Sequence, residues 1–411
     1  MKKIVALYFL LNTLLPSCST QDECSVFDPY DENLLQQAQR IEIGKIDFDW
    51  DEYNNSDYYE KGTYKFSELF SKVEYVKLDT IEEAYIGVIT KIIVTESNEI
   101  IIFDENNSSI LRFASNGKFL NRIGSRGHSK QEYIEPGYVQ YDERSKHIFV
   151  SDGHSQCLKE YSLDGKHIRD IKVGYYFHEF GIIDENYFVV FSDLGYPKPG
   201  DTAYYIKIHD FNGNLIKEYA PYNSERNEFH TLSAKTYQNI CGKLYCNTRW
   251  TSLIYTFEGI TPKPLYNIDF GNQQIDQSFV KSAKHPLEIG NWIREHDAIH
   301  CSQFFDNPRH IIIRLVNKNG DIITYIQSKS NPNKKIIKLN SDNDMSGILC
   351  TNNFNLAQND KLYFTYEPDN IKYHINSVVS KPNKNIKESD IDVLKDLSKN
   401  NNLVIQICTL K

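Results

Sequence analysis

The sequence has no long basic block and no extended apolar run beyond its N-terminus. Its 46 Lys and Arg against 55 Asp and Glu give a net charge of −9, so the main driving force for binding a nucleic-acid backbone is missing. After residues 4–15, no stretch approaches the about 20 apolar residues that a membrane-spanning helix needs. We therefore expect no nucleic-acid partner, and contact with a membrane only through a lipid anchor.

Recurrent catalytic signatures are also missing. There is no Gly-x-Ser-x-Gly elbow, P-loop or dinucleotide fingerprint, so no catalytic residue and no cofactor is assigned. The 8 Cys include no Cys-x-x-Cys pair, which argues against a dense disulfide framework. Cys241 and Cys246 could pair across a turn, and buried or idle thiols are the alternative.

The N-terminus has the pattern of an export signal. Lys2 and Lys3 precede the apolar run at 4–15, which is too short to span a bilayer but suits a signal peptide. The run ends in Leu-Pro-Ser-Cys, which resembles the lipobox of bacterial lipoproteins and predicts lipidation of Cys18. Pro16 departs from the usual small residue, and an ordinary cleaved signal peptide with an incidental Cys is the alternative.

The polar, acidic tract at 19–23 resembles the surface-export signal of some lipoproteins, with a plain linker as the alternative. We predict an outer-membrane, lipid-anchored protein, displayed at the cell surface or on the periplasmic face.

A repeat predicts the fold. With 28 Tyr, 22 Phe and only 2 Met, the composition favours strands. Segments 110–123, 158–171 and 206–219 each hold a strand, an Asn-Gly or Asp-Gly pair and a second strand, at intervals of 48 residues. These pairs predict hairpins with type I′ turns. With the strands that precede each hairpin, one unit has four strands in roughly 48 residues, as in a propeller blade.

Later copies are less regular. A fourth hairpin follows at 254–259, and a fifth is assigned to 311–325, displaced by an insertion with a short helix predicted at 286–295. Strands at 361–366 and 403–409 supply a last blade, and a further helical pattern covers 389–397. The sequence therefore predicts an all-β, six-bladed β-propeller of four-stranded antiparallel blades.

The ends of the propeller are expected to meet, because an unclosed ring leaves open strand edges. An alternating strand at 73–78 can complete the last blade beside 403–409. Residues 19–40 are predicted to be a flexible tether, with an extra strand at 40–50. The resulting division is a signal peptide at 1–17, a tether and extension at 18–65, and the propeller at 66–411.

Several motifs resemble a known family. Residues 72–79, 122–127, the pair Glu132-Tyr133 and 402–407 are similar to six-bladed, NHL-repeat-related propeller lipoproteins of Gram-negative gut anaerobes. The resemblance runs over 66–411 and implies the fold, while the family has no settled activity. Its usual Gly-x-Gly-Pro-x-Glu-aromatic pattern is broken here, because residues 128–131 replace the Gly-Pro part.

The densest polar cluster is the loop at 124–132, from which we predict ligand-binding residues Arg126, His128, Lys130 and Glu132. Arg126 suits a carboxylate or sulfate, and Glu132 suits a sugar hydroxyl or a cation. The alternative is a solvated loop in which Arg126 and Glu132 only fasten neighbouring blades.

Other polar residues are assigned structural roles. Asp104 and Asp152 occupy equivalent places in two blades and are expected to cap the following turns. His296 and His300 would share one face of a helix, but they lack an obvious third ligand. The Asp-rich segment at 342–347 is out of register with a calcium loop and is expected to be a turn. No metal is predicted.

We predict a non-catalytic binding or scaffold module for a glycan, a peptide or an outer-membrane protein partner. The alternative is a propeller lyase or glycoside hydrolase, and the hydrolase would hold two carboxylates about 5–10 Å apart. A structural subunit would instead show a large apolar patch. Trp50, Trp250 and Trp292 could stack on sugars or could pack in the core.

Overall fold

Strands are the predominant secondary structure of the described residues. The computed structural model describes residues 27–44, 46, 63–191, 202–223, 234–238, 242–283, 285–332, 335–338, 340–342, 344–345, 355–367 and 402–411. In chain order the strands are β1 (Gln39–Glu42), β2 (Thr63–Lys65), β3 (Phe70–Lys77), β4 (Lys91–Val94), β5 (Ile100–Asp104), β6 (Ser109–Phe113), β7 (Phe119–Arg122), β8 (Pro136–Asp142), β9 (His147–Asp152), β10 (Cys157–Ser162), β11 (His167–Lys172), β12 (Phe180–Ile182), β13 (Tyr187–Phe191), β14 (Thr202–Asp210), β15 (Leu215–Asn223), β16 (Ala234–Gln238), β17 (Leu244–Thr248), β18 (Leu253–Glu258), β19 (Thr261–Asp269), β20 (His300–Asp306), β21 (His310–Val316), β22 (Ile322–Ser328), β23 (Lys335–Lys338), β24 (Asn340–Asp342), β25 (Leu356–Gln358), β26 (Lys361–Tyr366) and β27 (Val404–Leu410). The helices are α1 (Glu32–Gln37), α2 (Phe66–Leu69), α3 (Gln277–Ser282) and α4 (Pro286–Glu295), with short 3₁₀ turns at Glu82–Ala84 and Gly271–Gln273.

Six antiparallel sheets form a ring, which confirms the predicted six-bladed propeller. From the channel outwards, blade one is β4–β7, blade two β8–β11, blade three β12–β15, blade four β16–β19 and blade five β20–β23. Blade six is β25, β26, β27 and β3. The short pair β2 and β24 lies outside these blades.

Neighbouring blades cover both faces of a sheet. Ile101 of β5 packs with Val139 of blade two, whereas Ile102 packs with Ile405 of blade six. Alternate side chains of one strand thus enter two different cores, and every residue of β5 is buried. This arrangement explains why residues 100–103 of β5 are all apolar rather than apolar at every second position.

The repeated hairpins differ from the predicted turn type. Gly117, Gly165 and Gly213 have φ near +88°, +87° and +89°, but the Asn or Asp before each keeps a negative φ. A type I′ turn requires positive φ at both central residues. The register also shifts by one residue beside each turn, which identifies a type I turn with a bulged glycine. The type I′ prediction is therefore wrong at these sites; consecutive positive φ values occur instead at Asn359 and Asp360, between β25 and β26.

The glycine of each repeated hairpin also contacts the preceding blade. A Cβ on Gly165 would lie 2.3 Å from the carbonyl oxygen of Arg122 at the end of β7. The corresponding distances are 2.0 Å from Gly117 to Lys77 and 2.3 Å from Gly213 to Lys172. Glycine is therefore required in these hairpins both for the turn and for the close approach of two blades.

The predicted fifth hairpin is not equivalent to the first three. Its Asn319-Gly320 pair joins β21 to β22, the second and third strands of blade five, whereas Gly117 joins a third strand to a fourth. A Cβ on Gly320 would meet nothing within 4 Å. The irregular spacing thus reflects a different turn as well as the insertion.

Blade six closes the ring as predicted. Strand β27 pairs with β26 on one side and with β3 on the other, from Val404 opposite Lys77 to Leu410 opposite Phe70. The Gln406 side-chain amide donates a hydrogen bond of 2.8 Å to the Tyr75 hydroxyl across this junction.

The N-terminal segment packs on the propeller. Phe27 lies in the core shared by blades three and four, with its ring centroid 5.0 Å from that of Tyr255. Strand β1 adds to the outer edge of blade four, parallel to β19, so the extra strand predicted at 40–50 is present only up to Glu42 in the described residues. From residue 27 the chain is therefore not the predicted tether, because its aromatic side chains are buried against the blades.

The remaining predictions concern two helices and several single residues. The helix predicted at 286–295 is α4. Four predictions fall on residues outside the described ones: the predicted lipidation site Cys18, the residues Trp50 and Cys241, and the helix predicted at 389–397. Within the described part of the chain, no helix is long and apolar enough to cross a membrane.

Candidate functional site

One face of the ring collects the loops that can form a site. In a four-stranded antiparallel blade, the loop entering the inner strand and the loop between the second and third strands lie at the same end. We call this the upper face. Its described loops include 78–90, 123–135, 173–179, 249–252 and 270–299.

Two buried carboxylates fix the upper loops of blades one and two. Asp104 accepts hydrogen bonds from the backbone N–H groups of Gly87 (2.6 Å) and Asn107 (3.1 Å). Asp152 accepts from the N–H groups of Ile134 (3.0 Å) and Glu135 (3.2 Å). Asp104 thus caps the following turn as predicted, and both carboxylates also hold the loop that enters their own blade.

The four predicted ligand residues lie on the upper face, in the loop that leads into blade two. Arg126, His128 and Lys130 are exposed, whereas Glu132 is partly buried. The carboxylate of Glu132 accepts a hydrogen bond of 2.9 Å from the Ser129 N–H, which holds the pKa of Glu132 below its ordinary value. Glu132 therefore shapes its own loop.

Side chains of blade two hydrogen-bond to the backbone of the loop at 124–132. The ammonium group of Lys159 donates to the Lys130 carbonyl at 3.3 Å, and the Tyr161 hydroxyl donates to the Gln131 carbonyl at 3.1 Å. Both contacts use backbone atoms of the loop. The ligand role of its exposed side chains stays a prediction.

A second group of side chains lies at the upper ends of the inner strands of three blades and was not predicted. Lys91 is the first residue of the inner strand β4, Tyr138 is the third residue of β8, and Glu179 directly precedes β12. The Lys91 ammonium lies 3.7 Å from the centroid of the Tyr138 ring, and Glu179 interacts with it electrostatically. We call Lys91, Tyr138 and Glu179 the channel-mouth cluster.

Burial alters the chemistry of Lys91. Although the side chain keeps some exposed surface, protein atoms surround its ammonium group, and this desolvation lowers the pKa to about 7 against the opposing effect of Glu179. Lys91 therefore changes its charge near neutral pH. The one sequence signal was a lysine at the start of the otherwise apolar strand Lys-Ile-Ile-Val.

Neighbouring groups hold the cluster in place. The Ser151 hydroxyl accepts from the Tyr138 N–H at 2.8 Å and donates to the His178 carbonyl at 2.6 Å. The His178 ring lies 3.8 Å from a carboxylate oxygen of Glu105. Blades one, two and three are thus connected around the cluster.

The potential metal residues do not come together as a helix-face site. Helix α4 ends at Glu295, so His296 follows the helix and stacks on Trp292, whereas His300 starts β20 and contacts Trp250. Within the described ranges, no three His, Cys, Asp or Glu side chains form a group that could hold a metal. In the segment at 342–347, Asp344 accepts a hydrogen bond of 2.8 Å from the Ser67 N–H at the start of α2.

Comparison with known proteins assigns the chain to a family. Residues 49–409 match the family described as Domain of unknown function (DUF4934). The chain belongs to this family. No curated protein matches it.

This DUF4934 protein is similar to a solved structure over most of its length. An exported protein, so named, of Bacteroides fragilis has a TM-score of 0.68 at 14% identity, covering 91% of this chain and 100% of the neighbour. A DUF4221 member of Bacteroides vulgatus (TM-score 0.48, 10% identity, 84% and 97% coverage) and virginiamycin B lyase of Staphylococcus aureus (TM-score 0.39, 7% identity, 71% and 81% coverage) are more distant. At these identities the likeness concerns the fold alone.

Proposed function

We propose that this DUF4934 protein is a non-catalytic binding module that holds an anionic glycan or peptide on the upper face of the propeller. The observation that carries the proposal is Lys91, a cation that faces an aromatic ring at the mouth of the channel. A partly desolvated ammonium binds a carboxylate or sulfate more strongly than one in bulk water does.

The exposed basic side chains of the neighbouring upper loop support the same ligand class. The chain as a whole is acidic, yet Arg126, His128 and Lys130 are exposed together on the neighbouring upper loop. A local basic region on an acidic protein attracts anions to one place. Loop 78–90 adds exposed Ile81, Tyr85 and Val88, which suit the apolar face of a sugar or a peptide side chain.

We further propose that the module is displayed outside the cell through a lipid on Cys18. The motif at residues 15–18 supports the anchor, and the name of the Bacteroides fragilis neighbour is consistent with export. Radiolabelled fatty acid should enter the wild-type protein and not Cys18→Ala. Equal labelling of both would contradict the anchor.

The binding proposal is tested with the protein from residue 25 onward against a panel of acidic and neutral polysaccharides and peptides. Lys91→Ala and the double variant Arg126→Ala, Glu132→Ala should weaken the binding of acidic ligands. Lys118→Ala, an exposed lysine in the turn between β6 and β7 at the opposite end of the blade, is the matched control. Equal loss in the control, or no binding by the wild type, would refute the proposal.

A propeller lyase is the second candidate, because an amine with a pKa of about 7 can also accept a proton from a substrate. Elimination would create a carbon–carbon double bond and increase ultraviolet absorbance, whereas hydrolysis would release reducing ends. Turnover by the wild type that Lys91→Ala abolishes would replace the binding proposal with the enzymatic one.

A further inference from the structure

Exposed apolar side chains recur at one position of the outer strands of blades one, two and three. Leu120 is the second residue of β7, Ile168 of β11 and Ile216 of β15, at intervals of 48 residues. Their exposed fractions are 41%, 42% and 40%. Single exposed apolar residues are common on protein surfaces, so the recurrence at one repeat position, rather than the exposure, carries the argument.

The three residues lie at one level of the ring. Successive blades are related by rotation about the channel, so equivalent positions have the same height along it. Each residue follows the hairpin between the third and fourth strands of its blade, at the end opposite the upper face. In the part of the chain that the structure describes, no strand adds to β7, β11 or β15, whereas β1 covers the outer strand of blade four.

Basic side chains accompany this apolar row. The hairpins and outer strands of blades one and two, residues 114–122 and 162–172, have these exposed cations: Lys118, Arg122, Lys166, Arg169 and Lys172. Asp164 is the one exposed carboxylate in the two ranges, and Arg169 pairs with the buried Glu160. Lys118 and Lys166 are again equivalent in the repeat. We call Lys118, Lys166 and the three apolar residues the lower rim.

The exposed apolar residues of the upper face have the opposite charge beside them. Ile81, Tyr85 and Val88 belong to loop 78–90, which also exposes Glu82 and Glu83. An anionic surface is repelled by these carboxylates and attracted by the lysines of the lower rim. The two ends of the propeller therefore differ in the kind of surface that they attract.

The N-terminal segment brings the proposed lipid close to the lower rim. The Phe27 carbonyl accepts a hydrogen bond of 2.9 Å from the Ala220 N–H in β15, the strand that carries Ile216. Cys18 precedes Phe27 by nine residues, which span at most about 30 Å. Ile216 and Ala220 are four residues apart, about 13 Å along the strand. A lipid on Cys18 would therefore keep blade three within reach of the membrane surface.

We propose that the lower rim lies on the membrane that holds the lipid anchor, with Lys118 and Lys166 at the headgroup phosphates and the side chains of Leu120, Ile168 and Ile216 in the interface. The inference rests on the lipid anchor of the proposed function and adds an orientation to it. Apolar area and basic residues contribute jointly to binding at an anionic lipid surface. In this orientation the upper face, with the channel-mouth cluster, points away from the membrane towards its ligands.

The test is co-sedimentation of phospholipid vesicles with the protein from residue 25 onward, which keeps every described residue and lacks the lipid. Vesicles of about three parts phosphatidylcholine to one part phosphatidylglycerol should bind it more tightly than phosphatidylcholine alone, and added salt should weaken the binding. Lys118→Gln with Lys166→Gln should lower the partition coefficient about 5-fold per lysine. Leu120→Thr, Ile168→Thr and Ile216→Thr together should lower it about 5-fold or more per side chain.

The matched control is Leu287→Thr with Arg294→Gln. Both residues are exposed on α4, in the insertion on the upper face, so the control should bind vesicles as the wild type does. Absence of wild-type binding to the anionic vesicles, or equal losses in the rim and control variants, would overturn the proposal. Because all the substituted side chains are exposed, every variant should unfold at the wild-type temperature, so that lost binding is not lost folding.

The result is separate from that of the ligand screen. The rim variants should keep their binding of acidic polysaccharides or peptides, and Lys91→Ala should keep its binding of vesicles, because the two surfaces lie at opposite ends of the blades. Ligand binding without vesicle binding would overturn the membrane contact and leave the upper-face proposal intact. Dimers in analytical ultracentrifugation that Ile168→Thr abolishes would make the lower rim an interface between two copies of the chain, and would also overturn the membrane contact.

Discussion

Replacing Gly165 with alanine should weaken the junction between blades one and two. The new Cβ would lie 2.3 Å from the Arg122 carbonyl oxygen, and the backbone at this position has a φ of +87°. The substitution therefore combines two separate costs, a strained backbone and a collision between blades. Gly320→Ala provides the matched control, because Gly320 has a φ of +86° but open space around it.

The two costs have different magnitudes. A non-glycine residue in the left-handed conformation costs about 1–2 kcal/mol, which is the full effect expected for Gly320→Ala. Relieving the collision requires the hairpin to move away from β7, at roughly the cost of an overpacked core, about 1–3 kcal/mol. Gly165→Ala should thus destabilise the protein by about 2–5 kcal/mol, with the difference between the variants due to blade docking.

Urea unfolding followed by tyrosine and tryptophan fluorescence measures both variants under the same conditions. Gly117→Ala and Gly213→Ala should behave like Gly165→Ala, because their added Cβ atoms meet Lys77 and Lys172 in the same way. Equal unfolding midpoints for Gly165→Ala and Gly320→Ala would refute the docking argument and leave only the turn conformation.

Three further predictions concern charge. Raising the pH through about 7 should weaken the proposed anion binding as Lys91 loses its proton. Lys91→Arg should move this decline in affinity to higher pH, and a titration of affinity against pH compares the variant with the wild type. Burial and the charges of Glu96 and Asp142 raise the pKa of Glu143 from 4.5 to about 7. The protonated Glu143 therefore stabilises the folded protein below pH 4.5, and this stabilisation is lost as the pH rises to about 7. Glu143→Gln should therefore stabilise the protein at pH 8 by about 1 kcal/mol, allowing for solvent screening, and have no effect at pH 4, as thermal unfolding at the two values would show. Burial opposes ionisation of Asp360, but hydrogen bonds from Arg309 and His310 outweigh it and hold the pKa of Asp360 below 3.8. Asp360→Asn should therefore be less stable than the wild type at pH 7, and its stability should fall less steeply on acidification. Parallel curves of stability against pH for the two proteins would contradict this.

The fold could be predicted because its strongest signals are local. The pairs that end in Gly117, Gly165 and Gly213 mark turns by their own conformational needs, and their constant spacing reveals the repeat. The turn type was missed because an Asn-Gly or Asp-Gly pair suits both a type I′ turn and a type I turn with a bulged glycine. Asn319-Gly320 was misassigned for a related reason, since the same dipeptide suits either of two turns in a blade.

The candidate site was less accessible to sequence reasoning. Lys91, Tyr138 and Glu179 come from three blades and occupy three different positions relative to the start of their strands, so the repeat does not align them. Arg126 and Glu132 stood out because they are close in sequence, yet Glu132 hydrogen-bonds within its own loop. For Trp250 the sequence left sugar stacking and core packing open, because neither its burial nor its positive φ can be read from residue types.

The pairing of β3 with β27 also has a consequence for how the protein reaches its native state. The first strand of the ring to leave the ribosome finds its partner only after all the other blade strands have followed. Until then β3 presents an unpaired edge, and contacts between such distant parts of a chain form slowly. We expect the ring to depend on protection from aggregation until β27 arrives, and a chain cut before Val404 to be captured by chaperones or proteases.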